Sequence, residues 1–276
     1  MVAKVRGILR TRRVGHLGTL DPIATGVLPL VIDGATRLAQ FYTRSDKIYE
    51  GVVRLGWSTD TYDRAGEAAS AKTEVAPDAA EVDRLLERFR GEFWQTPPPV
   101  SAKKVDGQRA YRLARKSLPV ELEPVRVQVF ALTLLEVNGP DIRLKVHCSG
   151  GTYVRSIAHD LGQAMGCGAH LLELRRTASG EFEIGEAIAI AGLQALAAEG
   201  RLAEAFVPAA KMLPEFPCVL VDDATIAQIR NGRNFPASPF RSQPASRYVK
   251  AVTREGALVA IGEAVLPNVY HPVVVL

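Results

Sequence analysis

The stretch that decides the fold is VRVQVFALTLLEVNGPDIRLKVHCSGGTYVRSIAHDLGQAM, residues 125–165. Residues 141–148 alternate apolar and polar side chains, which is typical of a half-buried strand. An Asn-Gly-Pro turn joins them to the β-branched and apolar run 125–137, so the two runs predict an antiparallel hairpin. Gly150 and Gly151 then end the second strand, and the residues that follow predict a helix.

The sequence on either side of this stretch predicts more strands and helices. Residues 47–56 (KIYEGVVRLG) have the β-branched and aromatic content of a strand. Residues 4–13 and the run EVDRLLERF before Gly91 have helical spacing, and RAYRLARKS (109–117) predicts a short basic helix. After Pro208 the prolines become frequent and the segments short, which predicts a small β-rich module.

Composition and charge indicate a folded protein with two basic segments. Hydrophobic residues make up 47% and charged residues 23% of the 276 residues, which excludes a disordered or collagen-like chain. The net charge is only +4, but Lys4, Arg6, Arg10, Arg12 and Arg13 give the first 20 residues a local +5. A second basic run comprises Lys103, Lys104, Arg109, Arg112, Arg115 and Lys116. Each run is either a solvated surface or a site for the phosphates of a nucleic acid.

The cysteines and the apolar segments indicate the compartment. Cys148, Cys167 and Cys218 are widely spaced and form no CxxC pair, which fits a reducing cytoplasm and predicts no zinc site. The basic N-terminus lacks the apolar region of a signal peptide, and the longest apolar runs are too short to span a bilayer. We therefore expect a cytoplasmic protein that does not enter membranes.

Catalytic signatures of nucleotide-hydrolysing and dinucleotide-dependent enzymes are missing, which leaves the loop GHLGTLDPIATG at residues 15–26. This loop combines glycines with His16 and a lone carboxylate, Asp21. Asp before Pro also suits the N-cap and first position of a helix, so Asp21 has a structural interpretation beside the catalytic one. His16 is likewise either structural or functional.

Two further residues have the same double interpretation. Tyr49 lies in a predicted strand, where an aromatic side chain ordinarily belongs to the core. Arg155 follows Tyr153 and Val154 in an otherwise apolar helical turn, and a buried arginine there needs a carboxylate partner. No one of these residues decides between structure and catalysis.

At GHLGTLDPIATGVLPLVIDGATRLAQF the sequence resembles the TruB family of tRNA pseudouridine synthases, which modify uridine 55 in the T loop. Further blocks resemble the family in the family's order: SDKIYEGVVRLGWSTDTYDRAGE, FRGEFWQTPPPVSAKKVDGQRAYRLAR, HCSGGTYVRSIAHDLGQAMGCGAHLLELRRTASG and FEIGEA. Together they cover most of residues 4–190. The family usually begins with a strand carrying a Lys-Pro-x-Gly motif, which we expect to be missing here.

The resemblance implies a fold. It implies an α+β pseudouridine synthase domain over residues 1–210, with a mixed, mostly antiparallel central sheet flanked by helices. A small β-rich, PUA-like RNA-binding module over residues 215–276 follows, and that part of the resemblance is looser. The active-site loop and the Gly150-Gly151 turn are expected to meet at one cleft.

The resemblance also implies roles. Asp21 would attack the target uridine, Arg155 would pair with Asp21, and Tyr49 would pack against the flipped base and help to remove the C5 proton. Tyr153 and Leu174 would line the uracil pocket, and His16 would meet the T loop as the base leaves its stack. The implied protein is a monomeric isomerase that acts on the T-stem loop of tRNA without a cofactor or metal.

Two other functions stay open on the sequence. One is a tRNA-binding or tRNA-folding protein in which catalysis is dispensable or lost with the missing N-terminal block. The other is a hydrolase of small molecules with Asp21 as a carboxylate nucleophile. The second lacks a recognisable partner carboxylate or metal cluster and leaves the basic segments without a role.

Overall fold

The computed structural model describes the chain in five segments: residues 1–101, 104–105, 108–109, 122–237 and 246–276. These residues form two compact units. The first unit comprises Met1–Gly18, Pro29–Thr43 and Ile188–Leu276. The second unit comprises Thr19–Leu28 and Arg44–Ala187. The predicted basic helix at 109–117 and the side chains of the basic run at 103–116 lie outside the described residues, apart from the backbone of two short strands.

The described residues contain five α-helices: α1 (Val2–Leu9), α2 (Ala79–Leu86), α3 (Val154–Ala164), α4 (Ile190–Ala198) and α5 (Asp223–Arg230). The longest of several 3₁₀ segments is Asp33–Tyr42. The predicted helices that include α2 and α3 are confirmed. The N-terminal helix is shorter than predicted, because Arg10 adopts a left-handed conformation (φ 52°) that ends it.

The first nine strands are β1 (Val14–His16), β2 (Ala24–Gly26), β3 (Leu30–Ile32), β4 (Lys47–Leu55), β5 (Gly91–Gln95), β6 (Lys104–Val105), β7 (Gln108–Arg109), β8 (Val125–Asn138) and β9 (Asp141–Cys148). The remaining seven are β10 (Ala169–Ser179), β11 (Phe182–Glu183), β12 (Cys218–Leu220), β13 (Phe235–Pro236), β14 (Tyr248–Val252), β15 (Leu258–Leu266) and β16 (Val269–Val275).

A seven-stranded sheet forms the centre of the second unit. Its strand order is β11-β10-β4-β9-β8-β5, and β2 pairs with β10. Only the β2–β10 pair is parallel among these strands. The prediction of a mixed, mostly antiparallel sheet in an α+β fold is therefore confirmed.

The predicted hairpin is β8 and β9, which pair in antiparallel register. Ile142, Leu144, Val146 and Cys148 are buried on one face of β9, as their alternation predicted. Ile157 and Leu161 of α3 belong to the same apolar cluster, which also includes the buried face of α2. The apolar cluster thus lies under α2 and α3 and holds α3 against the sheet.

The first unit contains the β1–β3 pair and a five-stranded sheet of order β12-β14-β15-β16-β13. The five-stranded sheet has its own buried cluster around Phe235, Ile229 and Tyr270. Tyr42 accepts a hydrogen bond from the Leu213 backbone N–H at 3.0 Å, within the same unit. The β-rich C-terminal segment predicted from its prolines is therefore present.

Within the described parts of the chain, no helix has both the length and the apolar content needed to cross a lipid bilayer.

Two glycine-to-alanine substitutions in helices are expected to change stability in opposite directions. A Cβ at Gly162 in α3 would lie 2.2 Å from Ala169 N, so Gly162→Ala overpacks the helix against the start of β10. We expect it to lower the free energy of unfolding by about 2 kcal/mol.

Gly7 of α1 has nothing within 4 Å of such a Cβ. Gly7→Ala should therefore add up to about 1 kcal/mol through backbone entropy. Urea unfolding of both variants measures this, and a Gly162→Ala protein as stable as wild type would contradict the packing described.

Candidate active site

Residues 19–28 form the loop that carries Asp21 and join the sheet of the second unit. The Ala24 N–H donates to Asp21 O at 2.9 Å, closing a turn over Pro22, and β2 then pairs with β10. No helix begins at Asp21. The predicted N-cap interpretation is wrong, because Asp and Pro suit the first two positions of a β-turn equally well and the pairing with β10 draws the next residues into a strand.

Gly26 lets the loop lie close to β10. Its φ is 96°, and a Cβ there would lie 2.1 Å from Arg176 O. A larger residue would therefore be excluded both by backbone conformation and by contact. The close approach of the loop to β10 requires glycine at this position.

Arg155 is the second residue of α3, and the start of that helix is fixed by a buried side chain. Gln95, 1% exposed, donates its amide N–H to Tyr153 O at 3.1 Å and accepts from Tyr153 N at 2.8 Å. This pair of hydrogen bonds binds the residue just before α3 to the end of β5. The orientation of Arg155 follows from it.

The guanidinium of Arg155 uses all of its five N–H donors. Nε donates to Oδ2 of Asp21 at 2.9 Å and Nη2 to Oδ1 at 3.0 Å, a bidentate pair. Nη1 donates to Thr61 O at 3.1 Å and to Oδ2 of Asp63 at 3.2 Å, and Nη2 also donates to Val100 O at 3.1 Å. The expectation that a buried Arg155 needs a carboxylate partner is confirmed.

Asp63 is a second carboxylate at Arg155 that the sequence did not single out. Its side chain is 5% exposed, and its Oδ1 accepts from the Thr61 hydroxyl at 2.8 Å and from Ala65 N at 2.9 Å. Such a buried carboxylate is stable only with its hydrogen bonds and a cation in place. The sequence signal that points to Asp63 is that a buried Arg155 needs a carboxylate partner. Several acids within residues 60–67 could pair with it, so the sequence alone does not select Asp63.

Exposure separates the two carboxylates. Arg155 is 4% exposed and the Asp21 side chain 28% exposed. Asp21 therefore has both oxygens held by the arginine and still faces solvent, whereas Asp63 is enclosed. Only Asp21 of the two can reach a bound molecule.

Tyr49, Leu174 and Tyr153 lie on three separate elements of the second unit, each of which interacts with the Asp21 loop. Tyr49 lies on β4, and Leu174 on β10 is 5% exposed and pairs with Ala24 of the Asp21 loop. Burial raises the pKa of Tyr49 and of Tyr153, and the charge of Asp21 raises both further. Both hydroxyls consequently stay protonated at neutral pH.

The structure brings together five of the six predicted site residues in the second unit: Asp21, Tyr49, Tyr153, Arg155 and Leu174. The sixth, His16, lies in β1 of the first unit. Its role stays a prediction. The assignment of catalytic and binding roles to the other five is likewise a prediction, for which the geometry above is the basis.

A cluster of three titratable groups lies beside the loop that supplies Thr61 and Asp63. The rings of Tyr62 and His159 stack with centroids 3.8 Å apart at 9°. Burial lowers the pKa of His159 and raises the pKa of the neighbouring Asp160 to about 6. The charge of Asp160 in turn raises the pKa of Tyr62, after the effect of burial. Among the described residues, no group of three or more His, Cys, Asp or Glu is placed to hold a metal ion.

Two solved complexes contain a chain with the same fold. The chain superposes on a structure entitled "Crystal Structure of a Cbf5-Nop10-Gar1 Complex" with TM-score 0.70 and 26% identity, covering 97% of this chain and 74% of that one. It superposes on "Structure of H/ACA RNP bound to a substrate RNA containing 2'-deoxyuridine" with TM-score 0.71 and 25% identity, covering 100% and 78%. The fold, taken with the family model that matches residues 6–154 and with a relative 70% identical over the whole chain, defines a pseudouridine synthase, which is an isomerase.

Within that class the chain belongs to the TruB family. Residues 6–154 match the N-terminal domain of the TruB family pseudouridylate synthases, and residues 155–213 match the tRNA pseudouridylate synthase B C-terminal domain. A tRNA pseudouridine synthase B of Solibacter usitatus (strain Ellin6076) is 70% identical over 276 residues, covering 100% of this chain and 94% of the relative. One of Stutzerimonas stutzeri (strain A1501) is 40% identical over 265 residues, covering 94% and 85%.

The pKa of Asp160 predicts a pH-dependent stability. Below about pH 4 the carboxyl is protonated in the folded and unfolded chain. Between pH 4 and about 6 the unfolded chain loses this proton while the folded protein retains it, so stability falls as the pH rises. Asp160→Asn removes that loss and should be more stable than wild type at pH 7 by roughly 1 kcal/mol, a value reduced for solvent screening.

Urea unfolding at pH 4 and pH 7 measures this difference, which should vanish at the lower pH. Glu173→Gln, at an exposed carboxylate of β10, is the control and should show no such gain. An Asp160→Asn variant that is less stable than wild type at pH 7 would contradict the burial of the charge.

Proposed function

We propose that this chain converts uridine 55 in the T loop of tRNA to pseudouridine, with Asp21 as the attacking group and no cofactor. The observation that carries the proposal is the carboxylate of Asp21, which is held through both oxygens by Arg155 and is 28% exposed. Family membership supplies the class of reaction and the kind of substrate. The residue roles and the position in the tRNA go beyond it.

The chemistry requires a nucleophile and a place for the base to turn. Attack by Asp21 on the target nucleotide breaks the N-glycosidic bond. The uracil turns, and C5 takes the place of N1 on the ribose as the bond to Asp21 breaks. The proton leaves C5 and N1 gains one, so the reaction is an isomerisation in which nothing is oxidised or reduced. A group confined to acid–base and nucleophilic roles therefore suffices.

Arg155 holds the nucleophile in place. The bidentate geometry fixes the plane of the Asp21 carboxylate. The remaining donors of Arg155 bind Thr61, Asp63 and Val100, so the arginine cannot follow Asp21 if the loop moves. We infer that Asp63 acts through Arg155 and does not itself contact substrate.

Tyr49, Leu174 and Tyr153 form the proposed surroundings of the uracil. Extruding a base from a folded loop costs a few kcal/mol, and an aromatic side chain recovers about 1–3 kcal/mol by stacking. The raised pKa of Tyr49 keeps its hydroxyl protonated at neutral pH, which favours packing against the base over service as a phenolate base. Leu174 closes the pocket from β10.

The RNA partner, the oligomeric state, the compartment and the domain boundaries are also proposed. We propose that a monomer in the cytoplasm binds the T-stem loop, that His16 meets the loop as the base leaves its stack, and that the basic residues of 4–13 contact phosphates. We also propose that residues 1–210 form the catalytic domain and 215–276 a PUA-like RNA-binding module. The separate buried cluster of the five-stranded sheet supports the latter boundary.

Pseudouridine mapping tests the reaction, the position and the nucleophile. An unmodified tRNA transcript incubated with wild-type protein should gain one pseudouridine, at position 55, whereas Asp21→Asn should be slower by at least about 1,000-fold because an amide is a poor nucleophile. Binding of the transcript by Asp21→Asn should stay close to that of wild type.

Asp141→Asn is the matched control, because Asp141 also forms a bidentate pair, with Arg54 at 2.7 and 2.6 Å, on β9 and β4 of the same sheet. It should retain the wild-type rate. Tight tRNA binding without product would favour a tRNA-folding role, and a fully active Asp21→Asn would exclude Asp21 as the nucleophile.

A further inference from the structure

Arg176 is a buried arginine of β10 that has no part in the site as described so far. Arg176 is 1% exposed, and its side chain has the largest volume among the fully buried side chains that the structure describes. A buried guanidinium needs a specific set of acceptors, so where its donors point indicates what it does.

The donors point to the two ends of the Asp21 loop. Nε donates to Val27 O at 2.8 Å and Nη1 to Thr19 O at 3.2 Å. The backbone of the same residue adds a third bond, because Val27 N donates to Arg176 O at 2.9 Å. One residue therefore ties the chain before Asp21 to the chain after it.

Arg176 also reaches the tyrosine of the site. Tyr49 of β4 lies directly opposite Arg176 in the antiparallel register, so the two side chains lie on the same face of the sheet. A hydrogen bond from Arg176 and its positive charge both lower the pKa of Tyr49 against the larger effect of burial. Arg176 thus bonds both to the loop that carries Asp21 and to the hydroxyl of Tyr49, the residue proposed to pack against the base.

We propose that Arg176 is a positioning residue that sets the Asp21 loop against Tyr49, acting through Thr19 O and Val27 O. Arg155 holds the carboxylate itself, and Arg176 holds the backbone from which that carboxylate extends. The inference rests on the proposed function for its catalytic consequence. The mechanical part, that Arg176 closes the loop, stands independently of activity.

A lysine cannot replace the guanidinium, because its single ammonium lacks the planar donors needed to reach two separated carbonyls. Arg176→Lys keeps the charge and most of the packing, which favours a folded variant. The matched control is Arg54→Lys, which breaks the bidentate pair with Asp141 five residues farther along β4 from Tyr49. At about 3.4 Å per residue this pair is roughly 17 Å from Tyr49.

The experiment measures amide hydrogen exchange by mass spectrometry, single-turnover pseudouridine formation and tRNA affinity on the same three proteins. We expect Arg176→Lys to speed exchange at least about tenfold in the peptide covering residues 19–28, with unchanged exchange in α3. The single-turnover rate should fall about 10- to 100-fold while the Kd for tRNA stays within about threefold. Arg54→Lys should leave the loop exchange and the rate as in wild type.

Unchanged exchange in residues 19–28 overturns the inference, whatever the activity. Faster exchange with an unchanged rate overturns its catalytic part. Wild-type protein that makes no pseudouridine overturns the proposed function instead, and the exchange data then still decide whether Arg176 closes the loop.

If Arg176→Lys does not fold, Tyr49→Phe in the wild-type background provides the second measurement. Loss of the hydroxyl that Arg176 contacts should speed loop exchange by less than threefold, since Thr19 O and Val27 O still hold the guanidinium, and a larger effect contradicts the assignment to those carbonyls.

Discussion

Arg155 carries its charge at 4% exposure, so each of its five N–H groups needs an acceptor close by. The acceptors come from three segments outside α3. These are the Asp21 loop, the turn at Thr61 and Asp63, and Val100 after the proline run. Leaving one buried donor without a partner would cost about 1–3 kcal/mol, and more for a charged group. The convergence of these segments, and with it the position of the proposed nucleophile, therefore depends on this one guanidinium.

The sheet of the second unit supplies the frame on which that convergence is possible. The antiparallel strands β4 and β10 carry Tyr49 and Leu174, whose partners in the register are Arg176 and Gly51. The parallel strand β2, which follows Asp21 in the chain, pairs with β10. On the proposed account two arginines divide the work, since Arg155 orients a carboxylate and Arg176 fixes the loop behind it. Neither function can be performed by a charge alone, because both use several donors in one plane.

Much of this could be predicted from the sequence where local pattern decides. The alternation of residues 141–148, the spacing in α3 and the β-branched content of β4 each have a local cause, and each element is present. Asp21 and Arg155 were found because a carboxylate in a glycine-rich loop and an arginine on an apolar turn are locally unusual. Their pairing was implied by family resemblance, and the structure shows it.

Other features have causes far away in the chain, and local pattern was silent or misleading. The sequence at Asp21 suits a helix cap as well as a turn, because Asp-Pro is favoured in both, and only the pairing of β2 with β10 decides between them. Asp63 and Arg176 look like ordinary surface charges until α3 and the Asp21 loop are brought against them. Whether a charge is buried depends on the tertiary structure, so the roles of these two residues could not be predicted from the sequence.

We propose that the geometry of the Arg155 guanidinium, and not its charge, makes Asp21 competent to attack the substrate. The single-turnover rate of Arg155→Lys, measured beside Arg54→Lys on folded protein, tests it most directly. We expect a fall of about 100-fold in the rate for Arg155→Lys, with tRNA affinity within about threefold of wild type and no change for Arg54→Lys. An Arg155→Lys protein that forms pseudouridine at the wild-type rate would contradict it.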